Sequence, residues 1–269
     1  MPRSATANID VDTGIPVGIT GPRKRWYQLD TFYRKPNLDA AFNIADQSGS
    51  DATAGIERAV EANQHWNLVG ADAVYTDLAF AANGGVTLKP NGTAADQIGI
   101  EPLNVATVHI VGGSAITFPY DKSPAAEFGF TTGSSIDAMK LWMGFYTALD
   151  DPYVHTDNQT DCALVQYVSA TSSNFNVVNQ VNNAKDGVVD TAIAIKASTA
   201  YSVKVAIDAS YKAWYWIAEA SDLGAGQVFS TPTVHRTGAA LIPTLGMEQT
   251  STATAPEITV NYAAIGRDR

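Results

Sequence analysis

The sequence predicts an all-β protein, an antiparallel two-sheet sandwich with an extended N-terminal arm and one short helix. Two stretches support this prediction because apolar and polar side chains alternate along them. Tyr201, Val203, Val205 and Ile207 alternate with Ser202, Lys204, Ala206 and Asp208, and Ile258, Val260 and Tyr262 alternate with Thr259, Asn261 and Ala263. A period of two is typical of a strand with one row of side chains on a core and the other in water. We therefore expect each sheet to have one solvated face.

Short apolar runs separated by turn sequences extend this pattern over most of the chain. We expect strands at residues 66–69, 74–81, 85–88, 97–100, 107–110, 126–131, 136–147 and 162–168, and then at 187–191, 192–196, 201–208, 214–217, 239–246 and 257–265. Turn-forming pairs such as Asn83-Gly84, Asn91-Gly92 and Gly112-Gly113 separate several of them.

The run from residue 138 to 146 predicts a central strand. Met139, Leu141, Met143 and Phe145 fall on one face, while Trp142 and Tyr146 fall on the other. Large apolar side chains on both faces indicate that one face lies in the inter-sheet core and the other against a neighbour.

The first 62 residues have a different character. Residues 1–37 contain frequent glycines and prolines and form the arm, and residues 38–62 form a short helical or irregular linker. The best helix candidate covers residues 51–64, with Ser50 or Asp51 as N-cap and Ile56, Ala59 and Val60 at helical spacing. The sandwich domain then spans residues 63–269, and we expect it to fold without residues 1–37.

Charge is distributed unevenly along the chain. The net charge is −10, which argues against nucleic acid as a general partner, but residues 1–37 carry +3. The arm is either a disordered terminus or a segment that orders on a neighbouring subunit, and its aromatic residues favour the second interpretation. The partner-binding candidates are the basic and aromatic run Arg23, Lys24, Arg25, Trp26 and Tyr27.

The remaining composition limits the class of protein further. Cys162 is the single cysteine, so an internal disulfide is excluded and a buried thiol is expected. We expect no signal peptide, because no basic segment followed by an apolar stretch occurs in the first residues, and no apolar run approaches the roughly 20 residues that span a bilayer. We therefore expect a protein made in the cytosol that stays there or leaves by lysis.

Catalytic and metal-binding patterns are weak. Glycoside hydrolysis needs two carboxylates about 5–10 Å apart, but the candidates Glu101, Glu127, Glu219, Glu248 and Glu257 stand singly, and His65, His109, His155 and His235 are scattered. Asp150, Asp151, Asp157, Asn158 and Asp161 have oxygen ligands suited to calcium, and an acidic connection between strands explains them equally well. We expect no enzyme activity, no cofactor and no metal.

Three runs near the C-terminus follow a recognisable order. They are "ASTAYSVKVAID", the aromatic strand "AWYWI", and "ALIPTLGMEQTSTATAPEITVNYAAIGRDR". With "GGVTLKPNGTAADQIGIEPL", "AEFGFTTGSSIDAMKLWMGFYTALDD" and "DCALVQYV" upstream, this order resembles the concanavalin A-like (LamG-like) jelly roll, versions of which recur in structural proteins of tailed bacteriophages. The resemblance covers roughly residues 63–269. Relatives usually close the aromatic strand with an Asn-Gly hairpin, whereas here Ile217 is followed by the longer run at 218–222.

The resemblance implies a non-enzymatic capsid decoration (cement) protein of the phage virion. Its expected partners are the major capsid protein, bound through the arm, and further copies of itself, with a trimer favoured and a dimer next. The alternative is a carbohydrate-binding adhesin, a fibre or head-appendage lectin that binds a surface glycan. That alternative needs an exposed aromatic platform, for which Trp214 and Trp216, or Trp142, are the candidates, although core positions are the more favoured interpretation of all three.

Overall fold

A computed structural model of the chain forms two antiparallel β-sheets packed face to face. It describes residues 24–30, 66–70, 77–80, 84–90, 92–102, 118–119, 123–146, 161–182, 184–235, 240–252 and 255–268. Within these ranges no helix has the length and apolar character needed to cross a membrane. The predicted helix at 51–64 and the predicted strand at 107–110 lie outside the described residues.

Sixteen strands form within the described ranges. They are β1 (Lys24–Asp30), β2 (Trp66–Val69), β3 (Leu78–Phe80), β4 (Val86–Leu88), β5 (Gln97–Pro102), β6 (Phe118–Pro119), β7 (Ala125–Thr132), β8 (Met139–Tyr146), β9 (Cys162–Val168), β10 (Asn174–Val181), β11 (Ala184–Ala194), β12 (Ala200–Ile207), β13 (Lys212–Glu219), β14 (Gln227–Val234), β15 (Ala240–Gln249) and β16 (Ile258–Asp268). A 3-10 turn at Leu223–Ala225 connects β13 to β14.

The strands are divided evenly between the two sheets. Sheet A has the order β14-β13-β12-β7-β16-β4-β3, and β1 pairs with β16. Sheet B has the order β11-β10-β9-β8-β15-β5-β2, and β6 pairs with β15. Neighbouring strands in space are often distant in sequence, as in the pairs β7–β16 and β8–β15. This arrangement confirms the predicted antiparallel two-sheet sandwich.

The main core lies between the sheets. Alternate residues of β12, namely Tyr201, Val203, Val205 and Ile207, enter it as the sequence predicted. Phe130 and Phe175 meet Tyr201 there, with ring centroids 5.7 and 5.1 Å from that of Tyr201. Since Phe130 comes from sheet A and Phe175 from sheet B, this aromatic contact joins the two layers.

The prediction for β8 is confirmed. Leu141 and Met143 belong to the inter-sheet core, whereas Trp142 and Tyr146 form a second buried cluster on the other face with residues of β9, β10 and β15. All eight residues of the strand are buried. Four strands were not predicted, namely β1, β6, β10 and β14. Of these, β10 contains three asparagines and β14 contains Pro232. The predicted strands at 187–191 and 192–196 are one strand, β11.

The expectation that the polar row of β12 lies in water is wrong. Ser202, Lys204 and Ala206 are buried, with exposed fractions of 3%, 0% and 0%. Large side chains from neighbouring strands help to cover this row. Trp216 lies directly opposite Lys204, and the Tyr262 hydroxyl contacts Ser202. The face of sheet A that points away from the core therefore has a buried layer of its own.

The predicted alternation near the C-terminus is interrupted by an irregularity in the register. Ile258 and Val260 enter the core, but the register of β16 with β7 shifts between Val260 and Tyr262. As a result Ala263 and Ile265 take the following core positions, and Tyr262 lies on the outer face of sheet A. The prediction that Tyr262 shares a face with Ile258 and Val260 is therefore wrong, because an extra residue in one strand reverses the faces beyond it.

Candidate functional site

The outer face of sheet A carries a compact polar cluster. Glu127 on β7 lies directly opposite Lys204 on β12, and Lys204 lies opposite Trp216 on β13. The adjacent row places Tyr262 of β16 beside Gly129 and Ser202. We call Glu127, Ser202, Lys204, Trp216 and Tyr262 the outer-face cluster.

Hydrogen bonds connect the side chains at the centre of the outer-face cluster. The Tyr262 hydroxyl donates to Glu127 Oε1 at 2.7 Å, and the Ser202 hydroxyl lies 3.3 Å from the same oxygen. The hydroxyls of Ser202 and Tyr262 are 2.8 Å apart. Glu127 Oε2 has no hydrogen-bond partner, although its residue is only 6% exposed. A carboxylate buried in this way depends on the nearby ammonium of Lys204 for charge compensation.

The environment shifts the acidity of two of these groups. Burial raises the pKa of the Glu127 carboxyl, although the Lys204 ammonium and the hydrogen bonds from Tyr262 and Ser202 act in the opposite direction. The pKa of the Tyr262 hydroxyl is also raised, first by burial and then by the charge of Glu127. Tyr262 therefore remains a neutral donor, as the short bond to Glu127 requires.

Glycines allow the aromatic rings to lie flat on the sheet. A Cβ atom on Gly129 would come within 2.0 Å of the Tyr262 ring, and a Cβ atom on Gly226 would come within 2.2 Å of Trp216 Nε1. Small residues at these two positions thus make room for the rings above the buried charges. Asp222 fixes the segment before Gly226, since its Oδ1 accepts from the Ala225 N–H at 3.2 Å. The connection that follows β13 therefore has a defined local structure.

Two of the other candidate carboxylates accept hydrogen bonds from side chains of sheet B. On sheet B, Tyr146 donates to Glu101 Oε2 at 2.6 Å, and Gln97 Nε2 donates to Glu248 Oε2 at 2.9 Å. The direct cross-strand neighbours of Glu127 are Lys204 and Ala264. The outer-face cluster therefore has a geometry suited to fixing the strands in register.

Of the three tryptophans proposed for an aromatic platform, two are buried. Trp142 and Trp216 are 1% and 3% exposed, but each lies on the outer face of its sheet and not in the inter-sheet core. Trp214 is partly exposed, and its Nε1 donates to Asp208 Oδ2 at 2.8 Å. The ammonium of Lys212 lies 4.7 Å from the centroid of the Trp214 ring. Of these three candidates, Trp214 alone retains a surface that a ligand could reach.

The other predicted site residues have mixed outcomes. The backbone of Lys24, Arg25, Trp26 and Tyr27 forms part of β1, while Arg23 lies outside the described residues. Of the possible calcium ligands only Asp161 is described; it is buried, and its Oδ1 accepts from the Asn182 N–H at 3.0 Å. Among the described residues, no three His, Cys, Asp or Glu side chains come together as a potential metal site. Cys162 is buried, as expected.

Exposed large apolar residues concentrate at one side of the sandwich. In the described part of the chain they are Val188, Val189, Leu223, Val228 and Val234. Four of them lie on β11 and β14, which are the terminal strands of the two sheets, and Leu223 lies in the turn before β14. An apolar surface of this kind is typical of a contact with another protein.

Solved structures share this architecture, whereas no protein-family model and no curated protein matches the sequence. A protein of unknown function from Shewanella oneidensis MR-1 is 13% identical, with a TM-score of 0.54 over 76% of this chain and 79% of that one. Lectin II from Ulex europaeus is 10% identical, with a TM-score of 0.51 over 77% of this chain and 94% of the lectin. The potassium-bound carbohydrate recognition domain of Emp46p is 6% identical, with a TM-score of 0.51 over 85% of this chain and 98% of the domain.

The fold is a concanavalin A-like jelly-roll sandwich. This agrees with the strand order that the sequence predicted. At identities this low the likeness concerns the fold alone, because one fold supports many unrelated functions.

Proposed function

We propose that this protein is a non-enzymatic structural protein of a tailed-phage virion, a capsid decoration protein that attaches to the outer surface of the head shell through its N-terminal arm. The order of strands that resembles phage jelly rolls supports the proposal. The surroundings of Glu127 also support it, because Glu127 accepts a hydrogen bond from Tyr262 and neither residue directly opposite it on the two neighbouring strands is a carboxylate.

The observation that carries the proposal is the position of β1. This strand pairs with β16 from Lys24↔Asp268 to Asp30↔Ala263 and so becomes part of sheet A. The basic and aromatic run is thus joined to an acidic body, since the residues after position 37 carry a formal charge of −13. A segment already ordered on its own domain loses less conformational entropy on binding, which favours attachment to a shell.

The contributions to attachment differ between the two kinds of residue. Exposed ion pairs contribute only about 0–1 kcal/mol each and are weakened by salt. Buried apolar surface contributes about 25 cal/mol per Å², so one aromatic ring outweighs one cation. Burial of aromatic and apolar surface should therefore supply most of the affinity.

We expect Trp26→Ala to reduce the occupancy of the protein on capsids more than Lys24→Ala does. The measurement mixes each variant with undecorated capsids, sediments the particles and quantifies the bound protein over a salt series. The melting temperature of each free variant controls for loss of β1 from the sheet. Equal occupancy of Trp26→Ala and the unmodified chain would mean that another surface makes the attachment.

A carbohydrate-binding adhesin is the second candidate, and the partly exposed Trp214 beside Asp208 is the observation that favours it. Aromatic rings beside carboxylates are suited to sugars, because a ring packs on their C–H faces and an oxygen accepts from their hydroxyls. Here, however, Asp208 already accepts from the backbone N–H groups of Ser210 and Lys212, and Lys212 lies over the ring. These internal contacts leave less of the corner for a ligand.

If the adhesin function is correct, Trp214→Ala should remove binding on a glycan array, while Trp26→Ala should leave it intact. The reason is that Trp214 supplies the only partly exposed ring among the three platform candidates. Glycan binding that persists in Trp214→Ala would place the sugar elsewhere. Binding of no glycan by the unmodified chain would contradict the second candidate.

A further inference from the structure

The outward surface of the β13–β14 hairpin is apolar and partly exposed. Val228 lies opposite Trp216, Ser230 opposite Trp214, and Val234 opposite Lys212, so these residues share the outer face of sheet A. Val228 and Val234 are 37% and 49% exposed. We call the exposed residues Val228, Ser230, Pro232 and Val234 of β14 the hairpin row.

The hairpin row is unsuited to sheet extension. Pro232 lacks the N–H group that a further strand would need, and the register of β14 with β13 is irregular between Lys212 and Trp214. Proline and bulges on an edge strand prevent the pairing of sheets edge to edge. A partner must therefore contact the side chains of the row and not its backbone.

The order of residue types along the hairpin row is nearly the same in both directions. Valines stand at both ends and two small residues, Ser230 and Pro232, stand between them. An antiparallel two-fold arrangement therefore sets Val228 of one copy against Val234 of a second copy. A face that meets itself across a two-fold axis must be self-complementary in this way.

The distribution of charge also favours a second copy of this chain as the partner. The eight residues of β14 carry no charge, although the whole chain carries −10, so two acidic copies can approach along this strand with little repulsion. Lys212 lies at the Val234 end of the hairpin, and the exposed Asp222 lies in the turn at the other end. The two-fold arrangement brings Lys212 of each copy towards Asp222 of the other.

We propose that the hairpin row is a self-association surface through which two copies of this chain form a two-fold dimer. This goes beyond the proposed function, since self-association requires no capsid. It also favours a dimer over the trimer that the sequence analysis placed first. A two-fold axis uses the same patch on both copies, as the reversed symmetry of the row requires.

Sedimentation velocity of the full chain, over roughly 1 to 100 µM, tests the proposal. We expect a monomer–dimer equilibrium whose dissociation constant rises at least about tenfold in Val234→Asp. Val189→Asp is the matched control, because Val189 is equally an exposed valine on a terminal strand, 39% exposed, and lies outside the row. Circular dichroism and melting temperature confirm that each variant is folded.

A charge exchange separates self-association from a contact with any other protein. Lys212→Glu and Asp222→Lys should each weaken the dimer, and the double variant should restore it, because each reversed charge then meets its opposite on the second copy. A monomeric unmodified chain, a trimer, an oligomer unaffected by Val234→Asp or dissociated by Val189→Asp, or a double variant weaker than both single variants would each overturn the proposal.

Discussion

Replacing Gly144 by alanine is expected to lower the free energy of unfolding by more than about 3 kcal/mol. Gly144 lies in the central strand β8 with φ +134, a conformation that L side chains rarely adopt. An added Cβ atom would come 2.3 Å from the backbone oxygen of Ala163 and 3.2 Å from Leu164 Cα. Both atoms belong to the neighbouring strand β9, so relief of the clash requires the ladder between β8 and β9 to separate.

Urea unfolding followed by tryptophan fluorescence measures this effect, and Gly224→Ala is the control. A Cβ atom on Gly224 would meet nothing nearer than Asp222 Oδ1 at 3.6 Å, in an exposed turn. The control should therefore stay within about 0.5 kcal/mol of the unmodified chain. Equal stability of the two variants would show that β8 tolerates a side chain at Gly144.

The sequence allowed the strands to be predicted where one physical signal dominates. Cys162–Val168 has the predicted limits, because its apolar run is bounded by polar segments. β10 was not predicted because asparagine is depleted in strands, yet Asn179 is fully buried and its Nδ2 donates to the Thr233 carbonyl at 3.2 Å. That contact joins β10 to β14 across the two sheets, and single-strand patterns contain no information about it.

The outer-face cluster could not be predicted for a related reason. Glu127 and Lys204 are far apart in the sequence and meet only because β7 pairs with β12 in one particular register. Read as single strands, Glu127 is an isolated acid and Lys204 a solvated residue. A usable signal was the pair of tryptophans at 214 and 216, since two large rings on one face of a strand require a surface to cover.

For the N-terminal arm, the sequence indicated the extended character of the backbone but not the strand with which it pairs. Its extended character is consistent with the strand β1. The pairing with β16 was not anticipated, because a basic and aromatic run has no feature that specifies the edge on which it lies. Whether residues 63–269 fold without residues 1–37 stays a prediction, and such a chain would leave β16 without one of its neighbours.

Removing the charge of Lys204 alone should destabilise the protein by about 3–5 kcal/mol at pH 8. Lys204 is 0% exposed and lies opposite Glu127, so Lys204→Met leaves a buried carboxylate without its cation. The double variant Glu127→Gln with Lys204→Met removes both charges and should recover to within about 1 kcal/mol of the unmodified chain. Lys196→Met is the control. It breaks the more exposed ion pair with Glu219 and should cost less than about 1 kcal/mol.

The pH dependence of these variants distinguishes a charge effect from a packing effect. Burial raises the pKa of Glu127, so the folded protein binds the proton of this carboxyl more tightly than the unfolded chain does. The protonated carboxyl therefore contributes fully to the free energy of unfolding below the unfolded pKa of about 4.3, and this contribution is lost as pH rises through the folded pKa. Lys204 lowers that folded pKa, so Lys204→Met should enlarge the loss and cost far more at pH 8 than at pH 4. Urea titrations at both pH values measure the difference. Equal costs at the two pH values, or failure of the double variant to recover, would show that Lys204 stabilises the sheet through the packing of its methylene groups and not through its charge.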